Sequence, residues 1–463
     1  MPAPSPSARL WPLLLLLIVA LGAAWRLAAA QGGLWLDEAW SAVFARDVAT
    51  PAGVFLNIHH DNNHHLNTLW LQLVGIDATP IAQRGLSIVT GTLAIIVATL
   101  IVAPRGRAVA LATAALFALA PMLVTYGSEA RGYAPMTLCL LIAIWIVGRW
   151  LDAPERPVPA LGLAAVVVLG LLSQLTMLFG LFALAGWVAW RRGAVAGAVR
   201  GLGDTARLIG PAMIAALLTA GAVLWWLPGM AGFQFGNYQT FTLADWSAGL
   251  RDMLGYGTGL FLPVPLALAT LVTLVGAILW QGGPRAPFYL LAIAGLPLGV
   301  ALVQLGNPGI PRYYLLSAIA ILLFAGEALG ATLARPGRSR LAGILALGLL
   351  LIGSVREDIR IVQDRRADTG AAIAAMHARA PGGATVTLDR PRASAVVEVG
   401  AARLAYPVRI TPCGRFLFVD RDGEEPFPTR PSLCGAQYRP IAGGIAFGLS
   451  GTHWRLYERA LTP

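Results

Sequence analysis

Apolar runs of about 20 residues recur along most of this chain. A helix of that length crosses a hydrocarbon core of about 30 Å. Candidate spans fall at roughly 10–30, 82–103, 107–127, 133–151, 158–174, 175–190, 207–228, 257–280, 287–306, 313–334 and 341–355. Eleven such runs predict an α-helical polytopic membrane protein. Composition supports this. Of 463 residues, 57% are hydrophobic and 12% are charged, about half the charged share of a soluble domain. A soluble enzyme, a disordered chain and a disulfide-stapled miniprotein are all excluded.

The charge is +11, and every basic side chain is Arg. A basic balance can signal nucleic acid, but the positions argue otherwise. Arg105, Arg107, Arg191, Arg192, Arg285, Arg335 and Arg338 follow even-numbered spans, and Arg149 and Arg156 flank the turn after the fourth. The positive-inside rule places that face in the cytoplasm. The N-terminus is then cytoplasmic, and the C-terminal hundred residues lie outside. Ala28-Ala29-Ala30 resembles a signal-peptidase site, but Arg26 interrupts it, so the first span reads as an uncleaved anchor. The expected organisation is a transmembrane domain over 1–356 and an extracytoplasmic soluble α/β domain over 357–463.

In that tail, 364–380 has helical spacing, and 384–388, 415–419 and 454–457 read as strands. Cys413 and Cys434 could pair in an oxidising compartment. Cys139 lies within a span and reads as packing.

The scarce polar residues gather on the outer face, next to membrane ends. Asp37 and Glu38 stand between Trp35 and Trp40. Tryptophan suits the interface, and a partly desolvated acid there suits a general base. Four of the six His fall in His59-His60-Asp61-Asn62-Asn63-His64-His65. If this segment is helical, His60 and His64 share a face, as do Asp61 and His65. Such a set, with Asp61, His60 and His64 foremost, could hold a divalent metal ion. Residues 66–74 then form a helix lying in the interface.

Ser128-Glu129-Ala130-Arg131-Gly132-Tyr133 makes a very short outer turn. Charge near the membrane points to function, and Arg131 can grip a phosphate. Glu129, Tyr133 and His65 are further site candidates. Arg312 and Tyr313 follow Pro311 at the start of a late span. An Arg on the outer face, at a helix N-terminus, makes sense if an anionic headgroup binds there. The aromatic loop 229–256 could act as a lid.

Taken together, these motifs resemble the GT-C superfamily of membrane glycosyltransferases. The types most similar are the protein O-mannosyltransferases and the lipid A aminoarabinose transferases. Asp37-Glu38 matches their acidic motif in the first outer loop. Asp61-Asn62-Asn63-His64 looks like their Asp-x-x-His segment, although His65-Leu66-Asn67 stands where they usually carry prolines. The 128–133 turn and Arg312-Tyr313 also look like motifs of those families.

The resemblance implies a GT-C-like fold of about 11–13 membrane helices. It also implies a sugar passed from a polyprenyl-phosphate donor to an acceptor on the outer face of a bacterial inner membrane, mostly with inversion. Asp37 would be the general base. Arg131, Arg312 and Tyr313 would bind the donor phosphate, with or without a metal near Glu38, Asp61 and His64. The implied partners are the lipid-linked donor, the bilayer and an acceptor that is a glycan, lipid or protein, with no nucleic acid. The competing readings are a transporter or flippase of lipid-linked intermediates, and a scaffold or receptor.

Overall fold

The computed structural model describes residues 6–236, 238–423 and 425–460. Among them, seven helices are long and apolar enough to cross a membrane: Leu10–Ala29, Gly85–Arg105, Tyr133–Leu151, Ala198–Trp226, Val264–Gln281, Pro311–Ala334 and Arg338–Ala367. Three shorter apolar helices are Arg107–Leu119, Ala160–Ser173 and Ala286–Leu302. Met177–Ala196 is a further helix with Arg191 and Arg192 near its end. Each of the eleven apolar runs therefore lies on a helix.

Proline moves several boundaries. The run at 107–127 breaks at Ala120, whose φ of −64° and ψ of 119° are extended. Pro121 enforces this, because the residue before a proline is pushed out of the helical region. The span expected from 257 starts at Val264, after Pro263. The residues before it form a separate helix, Leu243–Thr258, closed by Gly259 in the left-handed region. The expected lid at 229–256 thus contains a short turn, Gly229–Ala231, and this helix.

The chain divides into two compact units. The first takes in Met1–Arg26, Ile88–Gly127 and Gly132–Asp358. The second takes in Leu27–Ser87, Ser128–Arg131 and Ile359–Pro463. The loop after the first span and the turn near 130 therefore group with the tail, rather than with the spans that flank them.

Within the first unit, Leu315–Ala334 packs on Arg107–Leu119 through Gly326 and Gly330. A Cβ on Gly326 would strike Thr113, and one on Gly330 would strike the Val109 backbone. This is the small-residue spacing that lets apolar helices approach closely. Between the two glycines, Glu327 pairs with Arg105 at 2.6 Å and with Arg285. Arg26 is fully buried, and its guanidinium donates to the carbonyls of Gly22, Phe117 and Ala118. Carbonyl ligation of this kind makes a guanidinium tolerable in an apolar setting.

The second unit holds a six-stranded sheet in the order β2-β1-β3-β6-β5-β4. The strands are β1 (Ala384–Leu388), β2 (Val408–Ile410), β3 (Phe416–Arg421), β4 (Ser432–Leu433), β5 (Ala436–Gly444) and β6 (His453–Arg459). β1 runs parallel to β2 and β3, and the other pairs are antiparallel. The helix Ser394–Arg403 supplies the crossover from β1 to β2, as a parallel pair requires. Phe418 and Trp454 stack at 5.9 Å in the core. That core also takes in Ala39, Ala42 and Val43 of the helix Leu36–Asp47, and Leu71 of the helix His65–Val74. Cys413 and Cys434 form a disulfide.

Candidate active site

The site is built on the N-terminus of the helix Leu36–Asp47. Acids suit the first turn of a helix, and here two consecutive acids receive different partners. Glu38 sits at the third helical position and folds back to accept the Trp35 amide at 3.2 Å. Arg84 grips the same carboxylate with two nitrogens, at 2.8 and 2.5 Å. The Ala130 amide adds a further bond at 2.7 Å. Glu38 and Arg84 are both 0% exposed.

Burial raises the pKa of the Glu38 carboxyl. The Arg84 charge and hydrogen bond, Arg366 and the Ala130 amide outweigh burial, and the net shift is downward. Arg84 also donates to the carbonyls of Ala30, Gln31, Gly32 and Gly33. Glu38 is therefore saturated and sealed. It is not placed to touch a substrate, contrary to its expected catalytic role. A fully buried pair with every lone pair used is a fastening.

Asp37 points elsewhere. Its side chain is 29% exposed and forms an ion pair with Arg131. Arg131 donates from Nε to His64 Nε2 at 3.1 Å and lies 5.6 Å over the Trp35 ring. His64 therefore accepts through Nε2. The Asp37 carbonyl accepts from Asn62 Nδ2 at 2.8 Å and Ser41 Oγ at 3.1 Å. Asn63 donates to the carbonyls of Val54 and Ile58 and accepts from Thr68. The two asparagines thus anchor the His-rich segment, which leaves His64 facing Arg131.

The turn Ser128–Arg131 is fixed from three sides. Glu38 accepts the Ala130 amide, Asn67 donates to the Ala130 carbonyl at 2.5 Å, and Ser87 donates to the Arg131 carbonyl at 3.0 Å. Glu129 in the same turn is fully buried, beside the Ser450 hydroxyl. Burial raises its pKa despite the nearby charges of Arg366 and Arg131. Arg366 enters from the tail and donates to Ser128 Oγ at 2.8 Å and to the Ala29 carbonyl at 2.7 Å.

Arg366 lies in an unusual turn. Arg365, Arg366, Ala367 and Asp368 have φ values of 51°, 56°, 62° and 29°. Left-handed conformation costs an L-residue roughly 1–2 kcal/mol. The helix expected over 364–380 is interrupted here and resumes at Gly370–Arg379.

The expected metal set does not assemble. Residues 58–64 are not helical, so the one-turn spacing of His60/His64 and Asp61/His65 has no helix to act on. His60 Nδ1 lies 2.9 Å from Asp61, and His64 Nε2 is engaged by Arg131. His65 is buried and stacks on Phe55 at 5.1 Å, and burial lowers its pKa to about 4. Among the described residues, no three His, Cys, Asp or Glu side chains gather as a metal site. The Asp61, His60 and His64 set does not fit a metal as it stands.

Three candidates belong to the first unit. Tyr133 is buried at the start of Tyr133–Leu151, 4.8 Å from the Tyr126 ring. Arg312 and Tyr313 lie half-buried in the single turn Pro311–Tyr314, which leads into Leu315–Ala334. The Arg312 guanidinium is 6.0 Å from the Tyr313 ring.

Arg84 and Arg366 were not read from the sequence. Arg84 carries a signal, as an Arg at the N-terminal end of a span, like Arg312. Arg366 carried none among the many Arg of the tail.

No protein-family model and no curated protein sequence matches the chain. Solved structures do. The apo structure of ArnT from Cupriavidus metallidurans matches with a TM-score of 0.54 at 13% identity, covering 87% of this chain and 86% of that one. The structure of the same enzyme bound to undecaprenyl phosphate matches with a TM-score of 0.52 at 13% identity, covering 96% and 97%. This chain has the ArnT fold. At such low identity the likeness speaks for the fold alone, a helical membrane protein with a small C-terminal sheet domain.

Proposed function

We propose that this chain is a GT-C-type glycosyltransferase of the bacterial inner membrane. It moves a sugar from a polyprenyl-phosphate donor to an acceptor on the outer face. The observation that carries this reading is the pairing of Asp37 with Arg131. It leaves one part-exposed carboxylate at a helix N-terminus, on a frame of buried, saturated polar groups. The shared fold with ArnT supports it, since one of the matched ArnT structures holds undecaprenyl phosphate.

In this reading Asp37 accepts the proton of the acceptor hydroxyl. The hydroxyl oxygen bonds to the anomeric carbon as the bond from that carbon to the phosphate oxygen breaks. Polyprenyl phosphate leaves with the bonding electrons, and the configuration inverts. Arg131, in the second unit, donates to the phosphate as its charge grows, a contribution worth about 3 kcal/mol per donor in such sites. His64 keeps the Arg131 guanidinium in place. Arg312 and Tyr313 are proposed as donor-phosphate ligands by residue type, since a guanidinium and a phenol both donate to phosphate oxygens. The lipid tail of the donor explains a site beside the membrane. Extracting it into water would cost about 0.8 kcal/mol per CH₂ group.

Orientation follows the Arg distribution, with the N-terminus inside and the second unit outside. The Cys413–Cys434 disulfide supports an oxidising compartment. A reporter fused near residue 400 tests this, and a cytoplasmic signal there would remove the outer-face reading.

The enzyme reading is tested in proteoliposomes with a panel of polyprenyl-phosphate sugars. The wild-type chain should release free polyprenyl phosphate, and Asp37→Asn should lose that release. Equal release by both rejects Asp37 as base. Movement of intact donor across the bilayer without release favours the flippase reading.

A further inference from the structure

The second unit contains a cavity of about 290 Å³ that the reading above does not use. Its wall comes from four stretches of chain: Gly33-Leu34, Pro80 with Gln83, and the two helices Gly370–Arg379 and Ser394–Arg403 with the residues beside them. Its volume is at the lower end of the range of ligand pockets, roughly 300–1,000 Å³. It suits a ligand the size of one sugar ring.

The lining has a definite chemistry. Gln83 is 1% exposed. Its Nε2 donates to the carbonyls of Gly75 and Ile76 at 3.2 and 3.1 Å. That fixes the amide plane and reserves Oε1 as an acceptor. Asp368 Oδ1 accepts the Gly33 amide at 2.7 Å, which orients the carboxylate and leaves Oδ2 as a second acceptor. Arg403 makes no hydrogen bond or ion pair among the described residues and offers a fan of donors. Leu34, Val396, Val399 and Leu404 supply apolar wall between them.

Charge decides the ligand class. One carboxylate and one guanidinium cancel. A phosphate would meet Asp368 as a like charge, so an anionic ligand is disfavoured. A neutral sugar fits: its hydroxyls donate to Oε1 and Oδ2, accept from Arg403, and its C–H face lies on the apolar wall. The left-handed turn at 365–368 has a place here, because it delivers Asp368 to the cavity. Backbone strain of that kind persists where the surroundings over-determine it.

The cavity is also near the proposed base. Leu34 precedes Asp37 by three residues, which holds their Cα atoms within about 11 Å. Gln83 is the neighbour of Arg84, which fastens Glu38.

We propose that this cavity binds one neutral sugar unit of the acceptor, which makes the acceptor a glycan or glycolipid. The proposal rests on the glycosyltransferase reading for the word acceptor, whereas the binding itself can be measured without turnover.

The test uses the full-length protein in nanodiscs and a panel of methyl glycosides of neutral hexoses, observed by saturation-transfer NMR. At least one glycoside should bind. Arg403→Ala should weaken it tenfold or more, and Leu404→Trp, which fills the cavity rim, should abolish it. Both side chains are exposed, so the fold should survive, and an unchanged elution profile verifies that. Inorganic phosphate should not displace the glycoside.

Binding that is equal in wild type and Leu404→Trp overturns the proposal, as does the absence of binding across the panel or displacement by phosphate. Loss of binding in Leu404→Trp by a protein that releases no polyprenyl phosphate leaves the sugar site standing and rejects the transferase reading instead.

Discussion

Asp37 and Glu38 are adjacent acids at one helix N-terminus, each paired with an Arg, and they are opposites. The Glu38–Arg84 pair has no exposed surface and accepts two backbone amides besides. The Asp37–Arg131 pair keeps 29% of the Asp37 side chain open. One pair holds three stretches of chain together. The other faces outward from the frame so formed. The difference teaches that an ion pair's role follows from what its remaining lone pairs do, and from whether solvent or substrate can reach them.

Crossed substitutions offer the strongest way to break this comparison. Glu38→Gln should destabilise the protein by about 3–5 kcal/mol, because it leaves Arg84 buried without its countercharge. Asp37→Asn should cost roughly 10²–10⁴ in turnover and less than about 1 kcal/mol in stability, as a part-exposed pair contributes little. Thermal unfolding and polyprenyl-phosphate release measure the two. Equal stability losses would erase the distinction.

The arginines give the next largest contrast. Arg84→Lys loses the two-nitrogen grip and most of the carbonyl contacts, so it should cost about 2 kcal/mol or more of stability. Arg131→Lys should leave the midpoint of unfolding nearly unchanged while slowing release by roughly 10².

The pH dependence should separate Glu38 from its buried neighbour Glu129. Glu38 titrates below its ordinary value of 4.5. Its contribution is therefore present above about pH 4.5 and fades as pH falls through its lowered folded value. Glu129 is shifted upward from 4.5 by burial. Its contribution is the reverse: present below 4.5 and lost as pH rises through its raised value. Glu129→Gln should thus stabilise the protein at neutral pH, and the gain should vanish in acid. Unfolding midpoints from pH 3 to pH 8 check both signs.

The smallest effect concerns His65, whose folded pKa falls from 6.5 to about 4. Its share of stability is intact above 6.5 and declines as pH drops toward 4. His65→Phe should flatten that part of the curve.

The apolar helices were legible because a membrane span is a long, one-dimensional signal; Pro121 and Pro263 moved two of its edges, and the runs at 207–228 and 341–355 lie on longer helices, Ala198–Gly221 and Arg338–Asp364. Asp37 and Arg131 were legible as charges close to the ends of apolar runs. The separation of Asp37 from Glu38 was not, since it depends on Arg84, 46 residues later, and on a turn near 130. The histidine segment misled because its i, i+4 spacing has meaning only in a helix. Asn62, which donates to the Asp37 carbonyl, and Asn63, which donates to the carbonyls of Val54 and Ile58, hold it as a turn. Arg366 could not be read at all. Its arrival depends on four non-glycine residues in a conformation that sequence pattern does not encode.

The second unit is stitched from Leu27–Ser87, Ser128–Arg131 and Ile359–Pro463, the beginning and the end of the chain. A chain is made from its N-terminus at about 5–20 residues per second. The ribosome will therefore have placed the acids of the helix Leu36–Asp47 long before Arg366 exists. A truncated product can insert its spans and still lack the guanidinium that meets Ser128. Assembly of the second unit is thus tied to the synthesis of its last segment, which arrives more than two hundred residues after its first two.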